Sequence, residues 1–354
     1  MTVLKSVSTL VVVATLVVSA SWSSNDNFKL KDDTPVWEVY EKLGKIKLHA
    51  VNPKVAGASA EIGKDIVLKG SSVKRDGKKG KTAKQSKHFE CTACHTIEKE
   101  FHDLSDLDPN KKLAYAAKNN IPFLQGSSFY GIVNREHFYN DEYQKKYKDV
   151  PGIKKSFSDV RAAIQVCAIQ CSQGRALEDW EIESVLMYFW TLQLKIGDLN
   201  LTDEQKQKIE YALNERQSGA RAFHYIRDEF SDVSPAHFAK PMEYRKLSDT
   251  ELKNKERFQR GKWIYDLGCK HCHGKKRYSF YNLDDNTSTF KHLAKHMERG
   301  KHHSIHKISR YGTAPKNFKK AYMPQYTTEK MSDSQLMDLQ IYVANMAKGN
   351  NLLK

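Results

Sequence analysis

The chemistry of this 354-residue chain is concentrated in two stretches, "CTACH" (Cys91, Cys94, His95) and "CKHCH" (Cys269, Cys272, His273). C-x-x-C-H is the pattern to which c-type haem is attached. The two thiols add across the haem vinyl groups, the two-residue spacer matches the distance between those vinyls, and the adjacent histidine is held under the iron. A four-ligand zinc site or a redox C-x-x-C pair would use the thiols, but neither explains a histidine at the fifth place in both copies. The expected cofactors are therefore two covalently bound c-type haems, each with its iron. Cys91, Cys94, Cys269 and Cys272 are the expected attachment points, and His95 and His273 the proximal iron ligands.

Attachment sites need helices to hold them. In the second half, "ERFQRGKWIYDLGCKHCHG" reads as an amphipathic helix running into the motif, with Phe258, Gly261, Trp263 and Tyr265 near helical spacing. Gly261 would let another helix approach closely. At the far end "MSDSQLMDLQIYVANMAKG" offers Ser332 as N-cap and Leu336, Leu339, Tyr342, Val343 and Met346 as an apolar stripe. This plan resembles class I cytochromes c, whose first and last helices cross near the haem and whose distal methionine lies on the loop before the last helix. Met323, in "AYMPQYTTEKMSD", occupies that place and is the distal iron ligand the resemblance implies. The competing candidates are His292, His296, His302, His303 and His306, crowded into one basic segment.

The first half repeats the plan with one substitution. Its last helix is "LEDWEIESVLMYFWTLQL", with Asp179 as a candidate cap and Trp180, Val185, Tyr188 and Phe189 or Trp190 facing inward. When Tyr188 is laid on Tyr342, Met323 falls on Ile169, midway between Cys167 and Cys171. No methionine lies between His95 and Met187, so one of these two cysteines is the expected distal ligand of the first iron. Three other uses of the pair stay open. A disulfide would need a broken helix, since Cβ atoms at i and i+4 stand about 5–6 Å apart where a disulfide wants roughly 3.5–4.5 Å. A third haem on C-x-x-x-C would find Ser172 where its histidine should be. Two unpaired buried thiols could simply serve as small hydrophobes.

The segment "DVRAAIQVCAIQCSQGRALEDWEIESVLMYFWTLQ" resembles the region around the cysteine ligand in di-haem thiosulfate dehydrogenases and in the haem subunit of thiosulfate-oxidising complexes. There the ligand lies seven residues before a glycine. Seven before Gly174 is Cys167, so the resemblance implies Cys167 as ligand and as the catalytic sulfur, with Cys171 the second candidate. Cys171 stands where that pattern has serine and Gln173 where it has asparagine. The resemblance covers roughly 88–195 and 255–348. It implies a small sulfur anion such as thiosulfate as substrate, with Arg161 or Arg175 neutralising its charge.

The expected fold class is mainly α, with tandem class I cytochrome c domains. Residues 1–20 read as a signal peptide: Lys5, an apolar run from Leu10 to Val18 too short to span a membrane, and small residues suited to cleavage after Ala20. That implies a periplasmic or otherwise extracytoplasmic location. The remaining divisions are an N-terminal extension at 21–87, a first haem domain at 88–199, a helical linker at 200–245 and a second haem domain at 246–354. Residues 65–87 read as an exposed loop, 200–230 as a helix or helical pair, and "SPAHFAKP" as the boundary. "NREHFYNDEYQKKYKD" has no assignment. The net charge of +16 comes with no nucleic-acid motif, and export argues against such a partner. It suits docking to acidic redox-partner proteins, a soluble cytochrome or a membrane oxidase or reductase complex, and it would attract small sulfur anions. Two functions follow: electron transfer between such partners, or oxidation of a sulfur compound at a cysteine-ligated haem.

Overall fold

A computed structural model describes residues 27–75, 78–215, 219–298, 304–313 and 322–353. The expected signal peptide, His302 and His303 lie outside them. The described residues are mainly helical and form isolated bridges but no strand. None of the helices is long and apolar enough to cross a membrane.

The first half contains α1 (Val36–Lys42), α2 (Ala60–Lys69), α3 (Pro109–Asn119), α4 (Asp141–Lys146), α5 (Val160–Val166) and α6 (Asp179–Thr191). The second part continues with α7 (Asp203–Asn214), α8 (Ala220–Arg227), α9 (Asp249–Leu252), α10 (Lys255–Trp263), α11 (Lys270–His273), α12 (Thr287–Glu298), α13 (Ile305–Tyr311) and α14 (Asp333–Ala347).

Two apolar cores organise these helices. In the second, α10 crosses α14 at Gly261, where an added Cβ would stand 2.1 Å from the carbonyl oxygen of Asp338. Phe258, Tyr265, Phe290 and Tyr342 pack around the crossing, and Ser332 caps α14 by accepting from the Gln335 N–H. The Asp338 carboxylate is fully buried and held by Arg257 (2.5 Å) and Arg260 (2.6 Å), so its charge is compensated.

The first core has the same crossing. Gly63 of α2 lies against Ser184 of α6, and a Cβ there would stand 1.8 Å from the Ser184 carbonyl oxygen. Ser184 and Asp338 are 154 positions apart, as are Tyr188 and Tyr342, so the two glycines meet their partner helices at one register. The glycine precedes its C-x-x-C-H cysteine by 8 residues in the second half (269 − 261) and by 28 in the first (91 − 63). An insertion separates helix from motif.

Several expected divisions are redrawn. Residues 65–69 finish α2 rather than opening a loop, and Ser72, Gln85 and Ser86 are buried. Val36, Trp37, Val39, Tyr40, Ile66 and Val67 from the expected extension join the first core, together with Leu201, Ile209, Ala222, Ile226 and Phe230 from the expected linker. Apolar faces on those short helices need a partner, and the first core supplies it. Leu113, Ala116, Ile121 and Phe123, from within 88–199, pack in the second core instead. The "SPAHFAKP" stretch is tied to both parts: Asn140 donates to the Ala236 carbonyl, and Thr328 donates its N–H to the His237 carbonyl. The cap of α6 is Glu178, not Asp179, in a reciprocal box with Glu181.

Candidate functional site

The first motif opens with a single tight turn, Cys91–Ala93, against the first core. The His95 ring stacks on Phe129 (4.5 Å between centroids, 16°), which leans on Phe189 of α6. Its Nδ1 is 2.7 Å from the Ser127 carbonyl oxygen. A carbonyl only accepts, so Nδ1 carries the proton and Nε2 is left with its lone pair. Burial drops the pKa of His95 to about 4, which keeps the imidazole neutral. Gly126 makes room for this ring, since an added Cβ would sit 2.5 Å from His95 Cε1 and Nδ1.

The second motif repeats the arrangement. A π-helical stretch, Ile264–Cys269, carries α10 into α11, and His273 donates from Nδ1 to the Tyr281 carbonyl at 2.9 Å. Burial pushes Cys269 up to about 12 and Cys272 up to about 11, and it lowers His273. Each motif therefore presents two free thiols and one neutral imidazole with Nε2 available. These donors fit a covalently attached haem, which supplies a one-electron iron couple when bound. Among the described residues no group of three or more His, Cys, Asp or Glu is arranged to hold a bare metal ion.

Cys167 and Cys171 close over the first motif. Helix α5 runs into a π-turn at Cys167–Cys171, where the Ser172 N–H reaches the Cys167 carbonyl at 2.9 Å and Gln173 adopts φ +53°. Residues 85 and 86 strap this turn. Gln85 donates Nε2 to the Ala168 carbonyl (2.6 Å) and accepts from Ser172 (3.1 Å), while Ser86 donates to the Ser172 carbonyl (2.5 Å). Interaction with Cys171, and then burial, holds the Cys167 thiol well above its ordinary value, while interaction with Cys167 lowers Cys171. The Tyr139 hydroxyl lies 3.9 Å from Cys171 Sγ.

The motifs also touch one another. His271 donates from Nε2 to the Thr92 carbonyl at 3.1 Å, and Cys272 Sγ to the Ala93 carbonyl at 3.6 Å. Burial first, then the neighbouring sulfurs of Cys272, Cys171 and Cys91, hold the Cys94 thiol well above its ordinary value. One locality thus brings together cysteines from three separate segments. Burial first, and then Cys269, Cys272 and Cys94 in that order, raise the Tyr326 hydroxyl well above its ordinary value.

Met323 packs partly buried on the second core, as Cys269 does. Its backbone pairs with Thr313 in both directions, at 2.8 and 3.0 Å. Of the competing histidines, His306 is buried and bonded to Gln340 (3.2 Å), and the His292 and His296 rings lie tilted with centroids 4.5 Å apart. Arg161 and Arg175 are not available to neutralise a substrate anion as expected. Arg161 is engaged by Glu183 and the Ala50 carbonyl, and Arg175 by Glu181 and the Ala83 carbonyl. Both buried glutamates need that compensation.

Sequence reasoning missed the tyrosines. Tyr139, Tyr143 and Tyr147, from the unassigned stretch, gather around Cys171; burial and then its charge raise Tyr143, and Tyr147 rises to about 12. Their spacing of four in the sequence, with Tyr143 on α4, was the available signal. Tyr322 joins them from the loop beside Met323.

Residues 258–347 match the family model described as cytochrome c. No curated protein and no solved structure matches the chain. The family match supports a c-type cytochrome with covalently bound haem iron and a role in haem-based electron transfer.

Proposed function

We propose that this protein is a di-haem electron carrier, with one haem at Cys91, Cys94 and His95 and a second at Cys269, Cys272 and His273. The observation that carries this reading is the contact between the motifs, the His271–Thr92 bond at 3.1 Å and the Cys272–Ala93 contact at 3.6 Å. Two one-electron centres whose attachment segments share hydrogen bonds suit a relay. The common register of the Gly63–Ser184 and Gly261–Asp338 crossings supports a tandem arrangement.

The distal ligands in this reading are a sulfur from Cys167 or Cys171 at the first iron and Met323 at the second. A thiolate donates charge and favours ferric iron, so the first site takes the lower potential. The leader sequence supports work outside the cytoplasm, and the +16 charge supports docking to acidic redox partners, a soluble cytochrome or a membrane oxidase or reductase.

A second reading is favoured by the thiol pair beside the first motif. There, one sulfur captures a small sulfur anion, thiosulfate in the resemblance, and the protein is an oxidoreductase. The tyrosine hydroxyls around Cys171, not Arg161 or Arg175, would then donate to the substrate's oxygens.

A pyridine haemochrome titration tests the first reading, with two haems per chain expected; a single haem would overturn it. Mixing the holoprotein with thiosulfate and ferricyanide separates the functions. Turnover that disappears in Cys167→Ser establishes the enzyme, whereas fast exchange with a soluble cytochrome and no response to thiosulfate leaves the carrier.

A further inference from the structure

A cavity lies beside the residue that anchors His95, where the two parts of the chain meet. Ser127 and Arg135 line it from the first half, Lys112 from α3, and the Glu100–Lys330 pair from both parts. Its volume is about 50 Å³, where one water needs roughly 10–15 Å³, so it has room for a group of a few heavy atoms. Most charges on its wall are already matched. Lys99 meets Asp198 (3.1 Å), Lys330 meets Glu100 (2.7 Å), Asp106 meets Lys111 (2.5 Å) and Glu329 meets His237. Asp103 accepts from the N–H and hydroxyl of Ser105. The exceptions are two cations. The Lys112 ammonium makes no ion pair or hydrogen bond among the described residues. Arg135 donates only from Nη1, to Ser234 Oγ at 3.1 Å, although a guanidinium has five N–H donors. Ser234 Oγ in turn lies 3.4 Å from Ser127 Oγ, and the Ser127 carbonyl is the acceptor that fixes His95 Nδ1 at 2.7 Å.

We propose that this cavity binds a small tetrahedral oxyanion of the phosphate or sulfate class, and that its occupant acts on the first motif through Ser127. Two unmatched cations, one a planar fork and one a point charge, stand beside a hydroxyl donor. That set suits an anion with several oxygens better than a halide. The net charge of +16 raises the local concentration of such anions. The cavity shares no residue with the thiol pair or the tyrosines around Cys171, so it is not the substrate position of the second reading above. On the di-haem reading, the bound anion sets negative charge on the Nδ1 side of His95. That charge favours ferric iron at the first haem and lowers its potential, leaving the second unchanged. A propionate of the first haem carries similar oxygens, and one that filled the cavity would exclude the free anion.

Calorimetric titration of the holoprotein with inorganic phosphate, in about 0.15 M chloride to screen diffuse attraction, measures the binding directly. Lys112→Gln is the diagnostic variant, because its side chain is partly exposed on α3 and holds no other described residue in place. Lys118→Gln removes the same charge from the exposed end of that helix. The wild type should bind phosphate at one saturable site. Lys112→Gln should weaken it by about tenfold or more, as expected for the loss of one charge-assisted hydrogen bond, and Lys118→Gln should leave it unchanged. No saturable binding, whether the cavity is bare or holds a propionate, would overturn the site. Equal weakening in the two variants would overturn it too, since that marks diffuse attraction to a basic surface. A redox titration of the same samples reads the action on His95: phosphate lowers one potential in the wild type and neither in Lys112→Gln. Bound phosphate with both potentials unmoved would overturn that action. The calorimetry needs no haem count, so a single-haem protein that binds phosphate would remove the di-haem reading and keep the cavity site.

Discussion

Gly63 lies against the carbonyl of Ser184 so closely that a Cβ at position 63 would stand 1.8 Å from the oxygen. Backbone packs on backbone here, and neither helix can withdraw without opening the first core. Gly63→Ala should lower stability by roughly 1–3 kcal/mol, the ordinary range for overpacking. Gly261→Ala, 2.1 Å from the Asp338 carbonyl, should do the same in the second core. Urea unfolding of the two variants checks this; a variant as stable as the wild type would show that the crossing is not tight.

On the di-haem reading, Gly126→Ala should act on the first motif alone. The added methyl meets the His95 ring at 2.5 Å and must push it off the Ser127 carbonyl. The measurement is the spectrum of the holoprotein with its haem content: perturbed ligation or lost haem at the first site, and the second site unchanged. Equal disturbance of both sites would contradict the assignment of Gly126 to His95.

Lys330 and Glu100 join the two parts of the chain, with Lys330 Nζ 2.7 Å from both carboxylate oxygens. Lys330 is 6% exposed and the Glu100 side chain 20% exposed, so Lys330→Met leaves a partly buried carboxylate without its partner. The expected loss is roughly 1–3 kcal/mol. It should appear as two separated unfolding transitions where the wild type shows more nearly one. Calorimetry distinguishes the cases, and unchanged cooperativity would place the coupling elsewhere.

His49 contributes to the acid limb of stability. Burial lowers its pKa against the opposing effect of its bond to the Arg135 carbonyl, 2.7 Å from Nε2. In the unfolded chain it titrates near about 6.5. As pH falls below that value the unfolded state gains a proton that the folded state resists, so stability declines until the folded value is reached. Above it His49 contributes no slope. His49→Gln should flatten the decline, as followed by urea midpoints above and below about pH 6.5. An unaltered slope would assign the acid response to other groups.

The motifs and the second half were legible because their signals are local. C-x-x-C-H is contiguous, the Phe258–Gly261–Tyr265 face has helical spacing, and Ser332 does cap the last helix. The mainly α character followed from these. What escaped was set by long-range packing. The crossing helix of the first half, α2, carries its glycine 28 residues ahead of its motif, and its end falls in a stretch whose lysines and glycines read as loop. Nothing in "NKKLAYAAKNN" says that α3 will pack in the other core, as Leu113 and Ala116 do. Arg161 and Arg175 looked like anion ligands because their carboxylate partners, Glu183 and Glu181, lie 22 and 6 residues away. The neighbourhood of Cys167 and Cys171 over Cys91 and Cys94 could be expected from the helix alignment, whereas the π-turn that carries them could not.

The contact between the two motifs also constrains the order of events during biogenesis. Once His271 and Cys272 sit on the carbonyls of Thr92 and Ala93, each attachment segment shields the other. Helix α3, lodged in the second core, latches the closed form. On the di-haem reading, haem must reach both thiols and the imidazole of each motif, so attachment at both would have to precede this closure.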